Sequence, residues 1–253
     1  MSEIFISVVM TSYNEEANLK RGVLSDVYDF LSKKKYGWEV IINDDGSTDK
    51  TVDLIKKQIK NWKEFKLIES DHGGKPVGLM HGLEKARGEY VLFTDIDQST
   101  PMSELDKLTK HLKKYDVVIG SRGMERKNNP IYRQLGGVVF MTFRKIFVLR
   151  DIKDTQCGFK VFKASLLNKY FPKLQVFSKD NTAKGWTVSS YDVELLHLLT
   201  KKGHKIKEVT VKWNDEDVST SKGSAVQKYF KESKSMIFQI LRVKRNDLMG
   251  LYD

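Results

Sequence analysis

Two aspartates that follow an apolar run are the residues in this sequence best placed to do chemistry. The run at 90–94 ends in Asp95, and Asp97 follows two positions later. Residues i and i+2 of an extended segment lie on one face, so both carboxylates can point into one crevice. Open α/β sheets bind ligands at the carboxyl ends of their strands, and two hard oxygen ligands beside a diphosphate suit Mg²⁺ or Mn²⁺. The alternative is that Asp95 is a turn residue and Asp97 an ordinary loop acid.

The segments on either side of this pair predict the elements that would position it. A helix-like run at 77–87 precedes the apolar segment and is closed by Gly88. After the pair, Thr100 and Pro101 are typical of a helix start, with Thr100 as N-cap and Pro101 in the first helical position. This context favours a ligand site over an isolated loop motif.

The first half of the chain alternates apolar runs with amphipathic ones. Strands are predicted at 4–10, 38–43, 65–69, 90–97 and 116–120, and helices at 16–34, 50–60, 77–87 and 102–114. Short links between them predict a mainly parallel, doubly wound α/β sheet. Polar loops follow four of the strands, and parallel strands would bring these loops to one edge. The loops carry Tyr13 and Glu15, Asp44 and Asp45, Asp95 and Asp97, and Arg122.

The second half differs in pattern. We predict a long apolar helix at 131–149, a short strand at 158–162, helices at 163–171 and 191–202, and an edge strand at 205–214. An amphipathic helix is predicted at 224–245. We therefore expect a catalytic domain at 1–215, with an interface helix at 131–150 inside it, and a loop plus basic helix at 216–253. The apolar side of the last helix is predicted to comprise Val226, Tyr229, Phe230, Met236, Ile237, Ile240 and Leu241.

Composition limits the class of protein. The 253 residues are 40% hydrophobic and 30% charged, which supports a core and argues against a membrane-embedded protein. Cys157 is the single cysteine, which excludes an intramolecular disulfide and fits a reducing compartment; we expect it to be buried. No signal peptide is visible, and no run reaches the roughly 18 apolar residues of a membrane span.

The net charge of +11 is concentrated in two blocks. Residues 122–150 and 222–245 each hold seven basic residues against one acid, together with large apolar residues at helical spacing. This combination indicates the surface of an anionic membrane, and ordinary core or dimer packing is the alternative for the two helices. Nucleic acid is the competing partner for a basic protein. However, no nucleic-acid-binding motif is visible, and the acidic crevice loops would repel a phosphate backbone.

Six short motifs carry a resemblance to a known family. The motifs at 11–16 (TSYNEE), 44–49 (DDGSTD) and 95–97 (DID) resemble family 2 glycosyltransferases of the GT-A fold. Those at 120–122 (GSR), 154–160 (DTQCGFK) and 191–196 (YDVELL) are similar to the branch that glycosylates dolichyl or polyprenyl phosphate. The resemblance extends over about residues 6–213, and the motif at 154–160 is its most specific part.

The resemblance implies a nucleotide-sugar donor and a metal ion. A carboxylate would pair with the uracil N–H, ring stacking would cover the base, and Mg²⁺ or Mn²⁺ would stabilise the leaving nucleoside diphosphate. Asp97 is expected to bind the metal, and Asp95 the ribose or the metal. Asp44 and Asp45 could instead cap a helix. The residues expected to bind the donor are Thr11, Tyr13, Glu15, Asp44, Asp45, Lys75 and Asp95.

The resemblance also implies a lipid phosphate as acceptor. A phosphate monoester is already ionised near pH 7, so it needs cations more than a general base. Arg122, Arg133 and Lys160 are suited to hold it, although Arg133 and Lys160 could simply extend along a surface. Asp192 and Glu194 could position Lys160 or an arginine, act as a base toward a hydroxyl acceptor, or favour the helix dipole. The expected catalytic residues are Asp97, Arg122, Lys160 and Asp192.

We therefore expect an inverting glycosyltransferase, bound peripherally at the cytoplasmic face of a membrane and open to homo-oligomerisation. It would move glucose from UDP-glucose to dolichyl or polyprenyl phosphate. The alternatives are another donor, such as GDP-mannose or UDP-N-acetylglucosamine, or a hydroxyl acceptor on a polysaccharide or protein. A nucleic-acid-binding protein is the alternative from a different class.

Overall fold

One mixed sheet organises the chain. The computed structural model describes residues 3–123, 149, 152–178, 191–214 and 225–253. Within these residues the sheet has seven strands in the order β3-β2-β1-β4-β6-β5-β7. The strands are β1 (Ile4–Ser12), β2 (Gly37–Asp45), β3 (Phe65–Ser70), β4 (Tyr90–Asp95), β5 (Val117–Ser121), β6 (Lys160–Lys163) and β7 (Ile206–Thr210).

Only β6 among the described strands runs against the others, so the prediction of a mainly parallel sheet is confirmed. The reversal has a consequence for the edge where ligands bind. Lys160, the first residue of β6, lies opposite Phe93 of β4 and Ile119 of β5, close to the carboxyl ends of both strands. Residues that precede β6 therefore reach the same edge as the loops that follow the parallel strands.

Helices cover both faces of the sheet, as its doubly wound pattern requires. On one face, Val8 of β1 belongs to a cluster with residues of the first, second, third and fifth helices. On the other, Val9 clusters with residues of the remaining helices. The helices are α1 (Glu16–Lys20), α2 (Val23–Leu31), α3 (Thr51–Ile59), α4 (Lys75–Lys85), α5 (Leu105–Thr109), α6 (Ala164–Tyr170), α7 (Tyr191–Lys201) and α8 (Ala225–Leu248).

Two predicted helices differ from the observed ones. The helix predicted at 16–34 is divided into α1 and α2, because Gly22 between them has a left-handed backbone with φ of 85°. The predicted N-cap at Thr100 is wrong. Pro101 precedes a 3-10 turn at Met102–Glu104, and Thr100 Oγ1 lies 3.8 Å from Cys157 Sγ instead of capping a helix. As expected, Cys157 is buried.

The C-terminal helix α8 differs from its predicted pattern. Ile240 is buried as expected, together with Val243, but Leu241 is 40% exposed and Phe238 60% exposed. The helix therefore buries one group of apolar side chains, which includes Ile240 and Val243, and exposes another, which includes Phe238 and Leu241. The sequence pattern predicted one apolar side and did not distinguish these two groups. Among the described residues, no helix is both long and apolar enough to cross a bilayer. Arg133, the predicted helix at 131–150 except Leu149, and the whole predicted loop at 215–223 lie outside the described residues.

Candidate active site

The loops after β1 and β2 are joined by hydrogen bonds. Asn14, whose φ of 55° is left-handed, accepts the Thr48 N–H on Oδ1 at 2.9 Å. Its own N–H donates to Ser47 Oγ at 2.9 Å. The neighbouring Glu15 accepts a 2.6 Å bond from Asn18 Nδ2, which orients its carboxylate at the start of α1. Two of the expected donor-binding loops therefore form one surface.

The two aspartates at the end of β2, Asp44 and Asp45, are buried, and both carboxylates accept hydrogen bonds. Asp44 accepts bonds from Ser12 Oγ at 3.0 Å and from the Ser47 N–H at 2.9 Å. Asp45 accepts the N–H groups of Gly73 and Gly74 at 2.8 and 2.9 Å. Neither caps α3, the helix that follows them; Asp49 accepts the first N–H of α3. The capping alternative for that helix is therefore wrong.

An aromatic pair lies above Asp45. The ring centroids of Tyr13 and His72 are 4.5 Å apart, and His72 Nδ1 lies 2.9 Å from Asp45 Oδ2. The following residues, Gly73 and Gly74, lead directly into Lys75 at the start of α4. This loop thus connects the expected base-binding residues to the carboxylates at the end of β4.

Asp95 is the last residue of β4 and lies at its carboxyl end, as predicted, but Asp97 lies in the turn that follows, so the prediction that the strand continues to residue 97 is wrong. Thr11 of β1 is the strand partner of Asp95. The Lys75 ammonium bonds to Asp95 Oδ1, and Asp97 accepts bonds from the backbone N–H and hydroxyl of Ser99, both at 2.9 Å. Burial and the Asp95 charge together raise the pKa of Asp97. The two carboxylates therefore lie close enough to repel one another.

The pair fits a divalent cation. Carboxylate oxygens are the ligands that Mg²⁺ and Mn²⁺ prefer, and a cation would offset the burial and the Asp95 charge that raise the pKa of Asp97. The described residues contain no group of three acidic, histidine or cysteine side chains that could hold an ion. An ion bound here would take further oxygen ligands from a diphosphate and water, as Mg²⁺ usually does.

Arg122 forms a bidentate ion pair at the end of β5. Its Nε and Nη2 donate to the two carboxylate oxygens of Asp154 at 2.8 and 2.9 Å. Burial opposes ionisation of Asp154, but Arg122 holds the pKa of that carboxyl well below its usual range. The guanidinium lies 5.5 Å from the centre of the Trp213 ring. Arg122 is thus fixed in place at the rim of the crevice.

Lys160 is a buried cation. It is 2% exposed, donates to Asp192 Oδ1 at 2.7 Å and also bonds to the Cys157 carbonyl. Burial excludes the alternative that Lys160 extends along a surface. Glu194 is 0% exposed and contacts Arg242 at 3.1 Å, so it cannot reach an acceptor hydroxyl. Asp192 thus holds Lys160, one of the roles expected for it, whereas Glu194 holds Arg242 of α8.

Comparison with known proteins identifies the family. The model of Glycosyl transferase family 2 matches residues 7–171. This chain belongs to that family. It is 34% identical to the Dolichyl-phosphate beta-glucosyltransferase of Saccharomyces cerevisiae, covering 99% of this chain and 77% of the relative. It is 28% identical to the human protein of the same name, covering 94% and 75%.

Solved structures confirm the GT-A fold of this family 2 glycosyltransferase. Mannosyl-3-phosphoglycerate synthase from Rubrobacter xylanophilus aligns with a TM-score of 0.66 at 14% identity, over 98% of this chain and 75% of that chain. Glucosyl-3-phosphoglycerate synthase from Mycobacterium tuberculosis, solved in complex with UDP, gives 0.64 at 18% identity, over 95% and 80%. At these identities the likeness concerns the fold.

Sequence reasoning assigned no role to three residues of this glycosyltransferase's crevice. Gly158 packs so closely on Asp95 that a Cβ would lie 2.0 Å from Oδ2. Asp154 holds Arg122, and the His72 ring packs against the Tyr13 ring at an angle of 31°. Gly158 and Asp154 belong to the most specific motif, at 154–160, which indicated their importance without their contacts. For His72 the only sequence signal was its place before a Gly-Gly-Lys loop.

Charges of both signs converge on Asp95. Burial opposes its ionisation, yet its pKa lies below the usual value because of Lys75 first, and then Lys160 and Arg122. These residues come from α4, β6 and the end of β5. A crevice that alternates carboxylates and cations can hold a metal-bound diphosphate beside a second anionic group.

Proposed function

We propose that this glycosyltransferase moves glucose from UDP-glucose to dolichyl phosphate, or to another polyprenyl phosphate, with inversion. The observation that carries the proposal is the 34% identity to the yeast Dolichyl-phosphate beta-glucosyltransferase along 99% of the chain. The cations beside the carboxylate pair, buried Lys160 and half-buried Arg122, support the same assignment, because they suit an acceptor that is itself an anion.

The donor would occupy the surface formed by the loops after β1, β2 and β3. The Tyr13–His72 ring pair offers a stacking platform for the uracil, with Asp44 and Asp45 beneath it. The Lys75 ammonium, which bonds to Asp95, would contact the diphosphate. Bound Mg²⁺ or Mn²⁺, held by Asp97 and Asp95, would supply positive charge to the leaving group.

The acceptor phosphate would lie on the Lys160 and Arg122 side of the carboxylates. A phosphate oxygen forms the bond to the anomeric carbon while the bond from that carbon to the UDP oxygen breaks. The acceptor is ionised near neutral pH, so no general base is required. Asp192 and Asp154 hold Lys160 and Arg122 in fixed orientations, which reduces the reorganisation needed when the phosphate binds.

Peripheral binding to a membrane, at its cytoplasmic face, belongs to the same proposal. One side of α8 and the turn after it exposes apolar side chains, with Leu248 76%, Met249 59% and Phe238 60% exposed. Lys234 lies 5.9 Å from the Phe238 ring centre, and Arg245 is exposed near the middle of this side. Apolar residues flanked by cations are suited to the interface of an anionic bilayer.

A panel of donors and acceptors tests the proposal. Purified protein with Mg²⁺ or Mn²⁺ is given UDP-glucose, GDP-mannose or UDP-N-acetylglucosamine, each with and without a short polyprenyl phosphate. We expect nucleotide release from UDP-glucose only when the lipid is present. Lipid-dependent release from another donor would replace the sugar assignment. Turnover that requires a sugar or protein hydroxyl would overturn the lipid assignment and make Asp192 the candidate base.

A further inference from the structure

A polar stripe on α7 joins that helix to the C-terminal helix α8. Glu194, His197 and Lys201 are spaced three and four residues apart, so they share one face of α7. All three contact residues of α8 or the chain after it. Beside this stripe, Ile240 and Val243 of α8 are completely buried in the core. The docking of α8 therefore combines apolar burial with specific polar contacts.

Two polar contacts join α7 to α8, and Glu194 is the centre of the first. Its carboxylate is 0% exposed and accepts bonds from Arg242 Nη2 at 3.1 Å and from the Gln175 N–H, and it lies beside the Tyr252 hydroxyl, whose pKa is raised by burial and by this carboxylate. These partners come from α8, from the 3-10 turn at Gln175–Phe177 and from the C-terminal turn. Because buried charge without partners is costly, the three segments are held together at this carboxylate.

Asp247, which follows Arg242 along α8, is the centre of the second polar contact. Lys201 Nζ lies 2.9 Å and His197 Nε2 3.3 Å from Asp247 Oδ1. Lys201 also reaches Asp253 at 2.5 Å, beyond the end of the helix. Two contacts separated along the helix fix both its position and its rotation about its own axis.

The first turn of α7 carries two acidic side chains that contact different parts of the molecule. Asp192 holds the buried Lys160 in the crevice, whereas Glu194, two residues on, holds α8. Residues two apart on a helix point to different sides, so this turn connects the acceptor side of the site to α8. The rotation of α8 in turn determines where its exposed stripe of Phe238, Leu241, Leu248 and Met249 faces.

We propose that Glu194 and Arg242 are positioning residues that lock α8 to α7, so that the crevice meets the bilayer in one fixed orientation when the exposed stripe of α8 lies on the membrane. The proposal rests on the membrane-bound lipid acceptor of the proposed function. A phosphate anchored in a bilayer can be reached only from one direction. A short acceptor in solution can approach the crevice in any orientation of the protein, so it does not need the lock.

The test compares Arg242→Ala and Arg242→Lys with the wild-type chain. Each is assayed with UDP-glucose and either dolichyl phosphate in phosphatidylcholine–phosphatidylserine vesicles or a short, water-soluble prenyl phosphate. We expect Arg242→Ala to lose on the order of tenfold in kcat with vesicles and less than about twofold with the soluble acceptor. Arg242→Lys keeps the positive charge and should restore most of the vesicle activity.

Vesicle binding provides a second measurement. Because Arg242→Ala leaves the exposed stripe unchanged, its co-sedimentation with vesicles should equal that of the wild type. Leu108→Ala is the control, since Leu108 is buried on the opposite face of the sheet and its loss lowers stability without touching α8. If Arg242→Ala does not fold, Tyr252→Phe removes a single hydroxyl from the same contact and should show the same selective loss.

The outcomes separate this proposal from the proposed function. Equal loss on both acceptors, as expected for Leu108→Ala, would overturn the positioning role and leave Arg242 with a structural role. Unchanged vesicle activity of both Arg242→Ala and Tyr252→Phe would overturn it as well. A wild-type chain that transfers glucose to neither acceptor would instead overturn the proposed function.

Discussion

The position of the Asp95 carboxylate depends on a neighbouring cation and on a neighbouring glycine that has no side chain. Lys75 supplies a cation on one side, while Gly158 supplies empty space on the other. The missing side chain at Gly158 lets the loop before β6 close over the carboxylate without displacing it. Asp97 is held differently, because Ser99 contacts both of its oxygens. The two members of the pair are therefore positioned independently.

Gly158→Ala should damage the site more than the fold. The new Cβ would lie 2.0 Å from Asp95 Oδ2, so the Asp95 carboxylate, rather than the backbone, would have to move. We expect a loss of less than about 2 kcal/mol in the free energy of unfolding. Since displacement by about 1 Å can cost on the order of a hundredfold in rate, activity should fall far more than stability. Denaturant unfolding and transfer assays on one preparation measure both.

Asp97→Ala should leave a folded protein without metal-dependent transfer. Removing this carboxylate deletes a predicted ligand, and the charge stabilisation that a bound cation supplies corresponds to several kcal/mol, or at least about a hundredfold in rate. Titration of activity against Mn²⁺ and a thermal melt provide the measurements. Asp97→Asn is the matched variant, since its amide oxygen can still accept from Ser99. Full activity of Asp97→Ala would remove it from the metal site.

At the scale of elements, hydrophobic periodicity predicted most strands and helices but not their directions or junctions. Nothing in the pattern at 158–162 shows that β6 runs antiparallel, because alternation is the same in either direction. The break at Gly22 and the loop role of Thr100 depend on backbone conformation and on contact with Cys157, which lies 57 positions away. Such long-range contacts leave no local signal.

The ion pairs between α7 and α8 predict a pH dependence of stability. Burial alone would raise the pKa of Asp247, but Lys201 and His197 lower it from 3.8 to about 2. A carboxyl whose pKa is depressed by folding stabilises the protein above its unfolded pKa, and that contribution is lost as the pH falls through the folded value. Asp247 should therefore stabilise the chain fully above about pH 5 and progressively less between about pH 4 and 2.

The measurement is the difference in Tm between the wild type and Asp247→Asn across this range of pH. Solvent screens a partly exposed ion pair, so we expect a contribution of about 1 kcal/mol, or a Tm difference of about 2–4 °C, at pH 6. The difference should shrink toward pH 2. Asp26→Asn, at an exposed position of α2, should show little difference at any pH. A difference in Tm between the wild type and Asp247→Asn that stays constant down to pH 2 would contradict this role of Asp247.

At the scale of the whole molecule, the sequence predicted which loops carry the site and proposed Asp192 as a partner of Lys160, but it did not predict that Asp154 pairs with Arg122. Parallel strands explain why Tyr13, Asp45 and Asp95 come to one edge. The pairing of Arg122 with Asp154 and of Lys160 with Asp192 depends on the reversed strand β6 and on the placement of α7. Motif resemblance identified most of these residues and one possible pair, Lys160 with Asp192, whereas the pairing of Arg122 with Asp154 is a long-range contact that leaves no local signal.

The exposed side of α8 connects the whole molecule to its expected membrane. Leu248 and Met249 are 76% and 59% exposed, so replacing both by serine removes apolar surface without opening a cavity in the core. Burying one such side chain contributes roughly 1.5–3 kcal/mol. Even with partial insertion, we expect partitioning into phosphatidylserine-containing vesicles to fall by at least about tenfold, while the Tm stays unchanged.

Co-sedimentation with vesicles of increasing phosphatidylserine content measures this partitioning, and added salt separates its two components. Arg245 and Lys234 contribute attraction that salt screens, with a Debye length of about 8 Å at 0.15 M, whereas the contribution of Leu248 and Met249 persists at high salt. The serine double variant should therefore lose the binding that remains at high salt. Ile68→Ser, on β3 and remote from α8, is the control and should bind as the wild type does. Equal partitioning of the double variant and the wild type at high salt would show that this side of α8 does not lie on the membrane.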